Sequence, residues 1–484
     1  MEPKRDKNSY RSILKGSSIM GGVKLFQVLI SLVRSKFVAM FLGPDGMGVS
    51  SLFNTSAETI QQIAGLGLPM AVVKETAQTE EDADSRRHTI AVARWMIHGC
   101  GLLGAAACVL LAPWLAELTF GSADYTWQFM LLGLVVFMMV EGTGMTAILQ
   151  GLHRLKAISK ATILGSAAGL VIGVPLYYLF GNKGIVPAMA LMVMTTTLWL
   201  CRELHRALPE KPPSFSSLLH KPLARKLLAI GLVLMTASML TTLCQYLLNV
   251  IIRAWGSLDD VGLYNAANSI TLQYSALVVS AMSMDYLPRL AAVANNPREM
   301  STLVNRQAEI VAFLIAPIAI LVIVFAPLVI RILLTASFLS VIPLVRWMAL
   351  GVILKVISFP LGYITFAKDN RKVVFWLEGI WLNILFLAMA VGGYLLFGLM
   401  GLGYAMVAEN AIVIAVYMIV NFRLYRFRYT KAASRASAVA IIAGIAAFTA
   451  TLLPETPWTY MLLGAIFIIT AAWSYLHLRP LLKK

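Results

Sequence analysis

Three basic residues, Lys24, Arg34 and Lys36, lie within one apolar stretch that is long enough to cross a membrane. A charged side chain at this depth is costly, and those that proteins keep there usually face a protein interior or a water-filled cavity. A cavity lined by cations attracts anions. The type and spacing of these residues therefore predict an internal site for an anionic substrate.

An alternative is that these long side chains reach the membrane surface. If the middle of the stretch is near residue 29, Lys24 and Arg34 lie about 8 Å on either side of it, at 1.5 Å per residue. Basic side chains can extend to the interface from such depths. Arg34 and Lys36 are also roughly 160° apart around a helix, so both cannot face one narrow cavity without a bend. Arg253, which closes a later stretch, fits the outer headgroups as well as a binding site.

Polar side chains are concentrated on two other apolar stretches, the second and the eighth. Such groups are costly in lipid unless they face protein or a wet cavity. Packing between helices through small polar residues is the alternative, mainly for the serines. The residues that we expect to line a cavity are Asn54, Glu58, Gln62, Asn265, Asn268 and Gln273.

Carboxylates within the apolar stretches suggest a second kind of chemistry. An unpaired carboxylate in a cavity can bind H+ or Na+ and so couple transport to an ion gradient. The candidates are Glu58, Glu378 and Glu409. Pairing with a cation is the alternative for each of them, and Glu378 with Lys355 is one expected pair across adjacent helices.

Membrane-spanning helices must position these residues, because the composition excludes a soluble globular domain. The chain has 484 residues, of which 59% are hydrophobic and only 13% charged. About 20 apolar residues cross a bilayer as a helix. We predict about fourteen such spans, near residues 14–42, 47–73, 88–116, 124–150, 157–180, 184–206, 224–252, 260–288, 305–330, 342–367, 373–397, 401–422, 436–453 and 457–477.

The basic residues between the spans predict the orientation. On this reading 31 of the 40 Lys and Arg lie on one side of the membrane, and only Lys183, Arg253 and Arg331 on the other. Basic loops remain in the cytoplasm, so both termini and the loops 74–87 and 208–226 should be cytoplasmic. The net charge of +17 is then a topology signal and not evidence for nucleic-acid binding.

The sequence also repeats itself at an offset of about 215 residues. The matching motifs are Asp45-x-x-Gly48 with Asp259-x-x-Gly262, and Leu179-Phe180-Gly181-x-x-Gly184 with Leu396-Phe397-Gly398-x-x-Gly401. Their offsets, 214 and 217, indicate duplication of six spans. Because six is even, both copies have the same orientation, and an axis along the membrane normal should relate them.

The repeat predicts the domain organisation of an all-α polytopic membrane protein. Residues 1–207 form a first six-helix lobe and residues 223–425 a second, joined by a cytoplasmic linker at 208–222. Residues 426–484 hold an extra helix pair, expected to be peripheral, and a cytoplasmic tail. No Walker A loop, His-Glu-x-x-His motif or cysteine pair with metal spacing is present, so neither an enzyme nor a metal site is expected.

Several short motifs resemble those of Wzx-type flippases, the oligosaccharide-lipid and O-antigen transporters of the polysaccharide transporter family in the MOP superfamily. The resemblance covers roughly residues 12–425. The motifs that carry it are Gly43-Pro44-Asp45-Gly46-Met47-Gly48, Asp259-Asp260-Val261-Gly262, Leu354-Lys355-Val356, Gly362-Tyr363, Ala367-Lys368 and Glu378.

This resemblance implies a MATE-like fold of two lobes around a cationic cavity, in the bacterial cytoplasmic (inner) membrane. It implies a substrate of undecaprenyl-diphosphate-linked oligosaccharide, moved from the inner to the outer leaflet by alternating access. Lys36 and Arg253 match the family's substrate-handling positions, and Lys24 and Arg34 are less secure matches. No cofactor is implied beyond H+ or Na+ as a possible coupling ion, and polysaccharide polymerases and other assembly proteins are possible partners.

Two other transport functions remain open. Flippases of lipid II, the peptidoglycan precursor, have the same diphosphate chemistry, and their fourteen spans match this chain, whereas the closer relatives usually have twelve. A MATE-type cation exporter would require acids in the first lobe. The first span has three cations and no acid, which disfavours that function.

Overall fold

Long helices account for almost all of the described chain. The computed structural model describes residues 7–78, 83–208, 221–454 and 456–482. For some positions, among them Lys24, it describes the backbone alone, so the prediction for the Lys24 side chain lies outside the described residues.

The first helix, α1 (Lys7–Gly65), holds two predicted spans separated by a break at Gly43. Gly43 has φ 67° and ψ −164°, a backbone conformation that residues with a Cβ rarely adopt. Pro44 follows it as the first residue of the next helical segment, where a missing N–H costs nothing. The Gly-Pro pair of the sequence motif therefore ends one span and begins the next.

Seven more helices complete the first part of the chain, with short 3₁₀ turns at Ala123–Tyr125 and Gly181–Gly184. They are α2 (Leu68–Gln78), α3 (Ala83–Leu110), α4 (Ala112–Phe120), α5 (Thr126–Gly151), α6 (Leu155–Phe180), α7 (Ile185–Ala207) and α8 (Lys221–Trp255).

The second part of the chain begins with α9 and contains one irregular helix. There, α12 continues through a π-helical segment, Val374–Trp381, into α13. The helices are α9 (Leu258–Val293), α10 (Pro297–Leu333), α11 (Ile342–Ala367), α12 (Arg371–Val373), α13 (Leu382–Phe397), α14 (Leu399–Tyr425), α15 (Lys431–Ala450) and α16 (Pro457–Leu482).

Ten helical stretches within the described residues are long and apolar enough to cross a membrane. Two of them, Leu25–Gly65 and Leu155–Ala207, contain a break, at Gly43 and near Gly181. The chain is thus a multi-pass membrane protein. The total of fourteen spans stays a prediction.

The loops that carry the repeat have the same backbone conformation in both copies. Gly181 has φ 55° and ψ −138°, and Gly398 has φ 60° and ψ −146°. Each donates its N–H to the carbonyl of the tyrosine four residues earlier, Tyr177 or Tyr394. Since both turns need a positive φ, glycine is required at both positions.

The described chain forms two compact units, residues 1–261 and 262–484. Helix α8, which the repeat assigns to the second lobe, packs against α1, α2, α3 and α4 within the first unit. Gly231 of α8 makes a close backbone contact there: a Cβ on it would lie 2.5 Å from the carbonyl oxygen of Leu66. The division between units therefore falls after α8, whereas the predicted linker precedes it. The assignment to lobes, which rests on the repeat, stays a prediction.

Each unit has its own core. In the first, the Phe53 ring lies 4.8 Å from that of Phe120 and 5.3 Å from that of Phe129. In the second, α10 and α11 pack with α15, whose Ala436 and Ala440 are buried. The small residues of α15 allow its close approach to α10 and α11, and the expectation that the extra helix pair is peripheral stays a prediction.

Two adjacent glycines in α13 give a matched test of this packing. A Cβ on Gly393 would lie 2.3 Å from the carbonyl oxygen of Gly401, whereas nothing lies within 4 Å of one on Gly392. Gly393→Ala should destabilise the protein by about 1–3 kcal/mol through overpacking. Gly392→Ala should stabilise it by up to about 1 kcal/mol, because alanine favours a helix. Thermal unfolding in detergent measures both changes, and equal shifts would contradict the packing.

Candidate functional site

Arg34 is the centre of a polar cluster inside the first unit. It is half-buried, and its Nη1 donates to Sδ of Met192 on α7 at 3.7 Å. Its charge acts on the carboxyl group of Glu58 and on the hydroxyl of Tyr177 in α6. The cluster thus joins an intramembrane cation to a carboxylate and a phenol.

The break at Gly43 brings this cluster together. In an unbroken helix, residues 34 and 58 would be about 36 Å apart, beyond the range of a direct interaction. Their electrostatic interaction requires α1 to turn back at Gly43. The turn is fastened by Asn182, whose Nδ2 donates to Oδ2 of Asp45 at 2.7 Å. The motifs at Asp45 and Gly181-x-x-Gly184 therefore hold the span of Arg34 beside that of Glu58.

The second half of α1 has two polar faces. Thr55, Ser56 and Thr59 are buried, and Thr55 accepts a bond from Asn249 of α8 at 3.4 Å. This face serves helix packing.

The other face carries Asn54, Glu58 and Gln62, which succeed one another every four residues. Asn54 and Gln62 are half-buried, and Glu58 is exposed. Protein atoms nevertheless surround Glu58 closely enough to desolvate its charge. Whether all three line a transport cavity stays a prediction.

Lys36 lies two residues from Arg34 on the first half of α1 and is half-buried. At 100° per residue the two positions are roughly 160° apart around the helix, so an orientation of both side chains into one narrow cavity is not expected.

Arg253 lies at the end of α8, in another environment. Its guanidinium packs against Gly121, where a Cβ would lie 2.1 Å from Nη2. Its charge acts on the Tyr125 hydroxyl, as do those of Asp45 and Asp124. Since Asp45 directly follows the break at Gly43, Arg253 lies at the level of that break. Arg34 is nine residues before Gly43, or about 13 Å along the helix axis. Arg34 and Arg253 therefore lie in different surroundings, one beside Met192 of α7 and the other beside Gly121.

The residues that we predicted on α9 are partly buried. Asn265 and Asn268 are half-buried, and Oε1 of Gln273 is buried without a partner in the described structure. These positions are compatible with an interior surface, and their role in lining a cavity stays a prediction.

Glu378 occupies a polar site in the second unit, on the π-helical segment. Tyr417 of α14 donates its hydroxyl proton to the carboxylate, with distances of 2.9 Å to Oε1 and 2.8 Å to Oε2. Gly362 makes room for this hydroxyl, because a Cβ there would lie 2.9 Å from it. A single-turn π-helix often marks a functional site, since it redirects one side chain. Glu378 is the one predicted coupling residue on which no described cation acts.

Lys355 interacts with Glu409 of α14, and not with Glu378 as the sequence suggested. Close packing of α11 against α14 determines this partner. Lys355 is accessible although its neighbours Leu354 and Val356 are buried, and protein desolvates its charge. Lys355 and Glu409 therefore form an interacting charge pair that lines a groove in the second unit.

A further pair, which the sequence did not predict, joins His98 of α3 to Glu141 of α5. His98 Nδ1 and Glu141 Oε1 are 2.8 Å apart, and the imidazole ring lies edge-on to Phe137. The pair gives the Glu141 carboxyl a partner at membrane depth. Tyr177 and Tyr417 were also missed, because a tyrosine in an apolar helix is not distinguishable from a packing residue by sequence.

No three His, Cys, Asp or Glu side chains in the described ranges are close enough together to hold a metal ion. The polar groups found here are instead a set of cations, carboxylates and hydroxyls inside helices. This set can bind an anionic group through charge-assisted hydrogen bonds and can take up or release a small cation.

Comparisons with known proteins agree with the fold. A family model described as polysaccharide biosynthesis protein matches residues 37–343. The lipid III flippase of Escherichia coli (strain K12) is 24% identical over 365 residues, which cover 75% of this chain and 86% of that protein.

Two solved membrane transporters have a similar structure. Lipid II flippase MurJ in an inward closed conformation has a TM-score of 0.74 at 14% identity, covering 96% of this chain and 100% of that chain. An inward-facing multidrug resistance MATE family transporter of the MOP superfamily has a TM-score of 0.69 at 18% identity, covering 86% and 98%. The predicted fold class, an all-α membrane protein of the MOP type, is confirmed.

Proposed function

The chain belongs to the polysaccharide biosynthesis protein family, and from that membership we propose that it is a flippase for an undecaprenyl-diphosphate-linked oligosaccharide. The substrate would be an O-antigen, capsule or common-antigen repeat unit, moved from the inner to the outer leaflet of the bacterial cytoplasmic membrane. The name of the lipid III flippase supports a lipid-linked substrate. The observation that carries the proposal is the half-buried Arg34 inside an apolar helical stretch of the first unit, where its Nη1 donates to Sδ of Met192.

The diphosphate is the part of this substrate that Arg34 would recognise. A glycan varies between pathways, but the diphosphate is always anionic. In a site of low dielectric constant each charge-assisted hydrogen bond contributes about 1.5–3 kcal/mol. Arg34 offers a planar fork of donors that matches phosphate oxygens. Without substrate the charge of Arg34 acts on the Glu58 carboxyl group, and the diphosphate would take the place of that carboxylate.

Lys36 and Arg253 would act on the diphosphate at other steps. Arg253 packs against Gly121, whereas Arg34 donates to Met192 of α7, so the two cations lie in different surroundings. We infer that Arg34 holds the substrate within the membrane and that Arg253 receives it near the outer end. Alternating access, by which the groups face the two sides of the membrane in turn, connects the two steps. We propose that Lys24 also contacts the diphosphate.

Glu378 is the strongest candidate for binding the coupling ion, H+ or Na+. The Glu378 carboxylate accepts from the hydroxyls of Tyr417 and Thr365 but has no described cation beside it, so its charge is not fully compensated. Uptake of H+ or Na+ would neutralise it. Glu58 and Glu409 each interact with a basic residue, which makes them better suited to respond to the substrate than to an ion.

Lipid II is the alternative substrate, because it carries the same diphosphate with a different sugar. The extra helix pair, α15 and α16, favours this alternative, since it is the feature that the twelve-span relatives lack. A MATE-type cation exporter is disfavoured by Arg34 and Lys36 in the first unit.

Complementation tests the proposed function in cells. The gene should restore surface polysaccharide in a strain that lacks an oligosaccharide-lipid flippase. Restoration of growth in a strain depleted of its lipid II flippase, without restoration in the first strain, would favour the alternative. Cysteine labelling from outside should miss residues 208–226, which our topology places in the cytoplasm with both termini.

Replacements of Arg253 provide a prediction in the same strain. Arg253→Ala should reduce complementation about tenfold or more, since it removes a charge-assisted contact with the diphosphate. Arg253→Lys should retain part of the activity, because it keeps the charge and loses the bidentate geometry. Membrane abundance is the control, because Arg253 also packs against Gly121. Normal activity of Arg253→Ala at normal abundance would assign this side chain to structure alone.

A further inference from the structure

A cavity of about 790 Å³ lies at the junction of α14 and α15 in the second unit. It is at the end of these helices where the chain carries five basic residues between positions 423 and 435. Our topology places this junction at the cytoplasmic surface of the membrane.

Three of the basic residues, Arg428, Lys431 and Arg435, line the cavity. The sequence has no Asp or Glu from residue 410 to residue 454, so no local carboxylate neutralises them. None of the three forms an ion pair with a carboxylate in the part of the chain that the structure describes. The cavity is therefore strongly cationic.

The backbone adds to this positive potential. Helix α15 has 20 residues and begins at Lys431, and its positive dipole end faces the same cavity. Thr430 caps the helix by accepting from the Ala433 N–H at 3.2 Å. The N–H groups of Lys431 and Ala432 have no hydrogen-bond partner among the described residues. They remain available to an anion.

The opposite wall of the cavity is apolar. It consists of Met418, Ile419 and Phe422 on α14, and the last two are 54% and 45% exposed. These residues belong to a helix that crosses the membrane. The cavity thus has one cationic side and one side that continues along an apolar membrane helix.

Specific contacts hold the loop between the two helices in this shape. Asn305 of α10 is 3% exposed. It accepts from the Thr430 N–H at 2.7 Å and donates to the Arg428 carbonyl at 3.2 Å. The Arg428 guanidinium lies 4.8 Å over the Phe422 ring, which orients its charge beside the apolar wall. The cationic and apolar sides are therefore fixed relative to each other.

We propose that this cavity binds an anionic phospholipid of the surrounding membrane. Basic pockets between helices on the cytoplasmic side of membrane proteins bind phosphate headgroups. Arg428, Lys431, Arg435 and the free N–H groups would hold the phosphate, and the acyl chains would lie along Ile419 and Phe422. The bound lipid would contact both α14 and the beginning of α15, and would so hold these two helices together. Helix α15 in turn packs against α10 and α11. The proposal does not rest on the identity of the transported substrate.

Native mass spectrometry of the full chain in detergent tests the proposal. The probes are dioleoyl phosphatidylglycerol and dioleoyl phosphatidylethanolamine, which have the same acyl chains and differ in headgroup charge. The protein should retain the anionic lipid with about tenfold or greater preference, the equivalent of one good charge-assisted contact. Equal retention of the two lipids would overturn the proposal.

Two variants that lose the same number of positive charges distinguish binding in the cavity from a general attraction of the lipid to the charged surface. In the first, Arg428, Lys431 and Arg435 are all replaced by Gln, and the preference for phosphatidylglycerol should be lost. In the control, Gln replaces Arg371, Lys372 and Arg423, which are exposed basic residues outside the cavity. The control should keep the preference. Equal loss in both variants would show that only net charge attracts the lipid, and the proposal would be wrong.

The last experiment fills the cavity without changing its charge. Ala438 lines the cavity and is exposed, so Ala438→Trp occupies its volume and leaves every cation in place. Lipid retention should fall about tenfold, while size-exclusion behaviour shows that the protein is folded. Undiminished retention by a folded Ala438→Trp variant would place the lipid elsewhere. Retention of an undecaprenyl-diphosphate lipid in preference to both phospholipids would identify a substrate docking site and overturn the proposal.

Discussion

Arg34→Gln should reduce transport about 100-fold or more while leaving a folded protein in the membrane. Two charge-assisted hydrogen bonds to the diphosphate, at about 1.5–3 kcal/mol each, account for that loss. The glutamine side chain fits the space but carries no charge. The measurement is the rate at which a lipid-linked oligosaccharide crosses the membrane of proteoliposomes, normalised to the amount of reconstituted protein.

A double substitution distinguishes binding from a structural role. Because the charge of Arg34 acts on Glu58, the single variant also leaves a desolvated carboxylate without its cation. Adding Glu58→Gln removes that carboxylate and should recover any stability lost in Arg34→Gln. If Arg34 binds the diphosphate, the double variant stays inactive. Recovery of transport in the double variant would show that Arg34 serves only to neutralise Glu58.

Glu378→Gln should abolish the response of transport to an ion gradient. The substitution keeps the size of the side chain and lets it hydrogen-bond to Tyr417, but it cannot bind H+ or Na+ as a carboxylate does. We expect a loss of about 10- to 100-fold in gradient-driven transport, comparable to the loss of one or two good charged contacts. The measurement uses proteoliposomes with an imposed pH or sodium gradient, compared with the same vesicles without one.

Tyr417→Phe is the matched control for Glu378. It removes the hydroxyl that donates to both carboxylate oxygens but leaves the carboxylate in place. The variant should still respond to the gradient, because the carboxylate can still bind the ion. The ion concentration that gives half of the response should shift, because the Tyr417 hydroxyl no longer competes with the ion for the carboxylate. A Glu378→Gln variant that follows the gradient like the unmodified protein would contradict the assignment of the coupling ion to this residue.

The positions of helices and of the breaks between them were predictable from sequence. The length of an apolar stretch and the presence of a helix-breaking residue are local properties of the sequence. Gly43-Pro44 and Gly181-x-x-Gly184 mark breaks that the structure contains at those residues. The two loop motifs adopt one backbone conformation at Gly181 and Gly398, whereas the duplication inferred from them stays a prediction.

The partners of the charged residues were not predictable from sequence. Lys355 was expected to meet Glu378, but the packing of α11 on α14 brings Glu409 to it. Which of two nearby helices supplies the counter-charge depends on rotation and crossing angle, which side-chain packing determines. The charge of Arg34 acts on Glu58, 24 positions away, because the chain turns back at Gly43. The packing of α15 was unpredictable for a related reason, since its alanines permit close contacts that hydropathy does not reveal.

Reconstitution with purified lipids tests the central claim most directly. Proteoliposomes would contain, in separate samples, an undecaprenyl-diphosphate-linked oligosaccharide, lipid II, or the same oligosaccharide on a neutral polyprenyl lipid without phosphate. The proposed function predicts rapid movement of the first lipid, slower movement of lipid II, and no movement of the neutral lipid above the rate of protein-free vesicles. Equal movement of the neutral lipid, or no movement of either diphosphate lipid by folded protein, would contradict it.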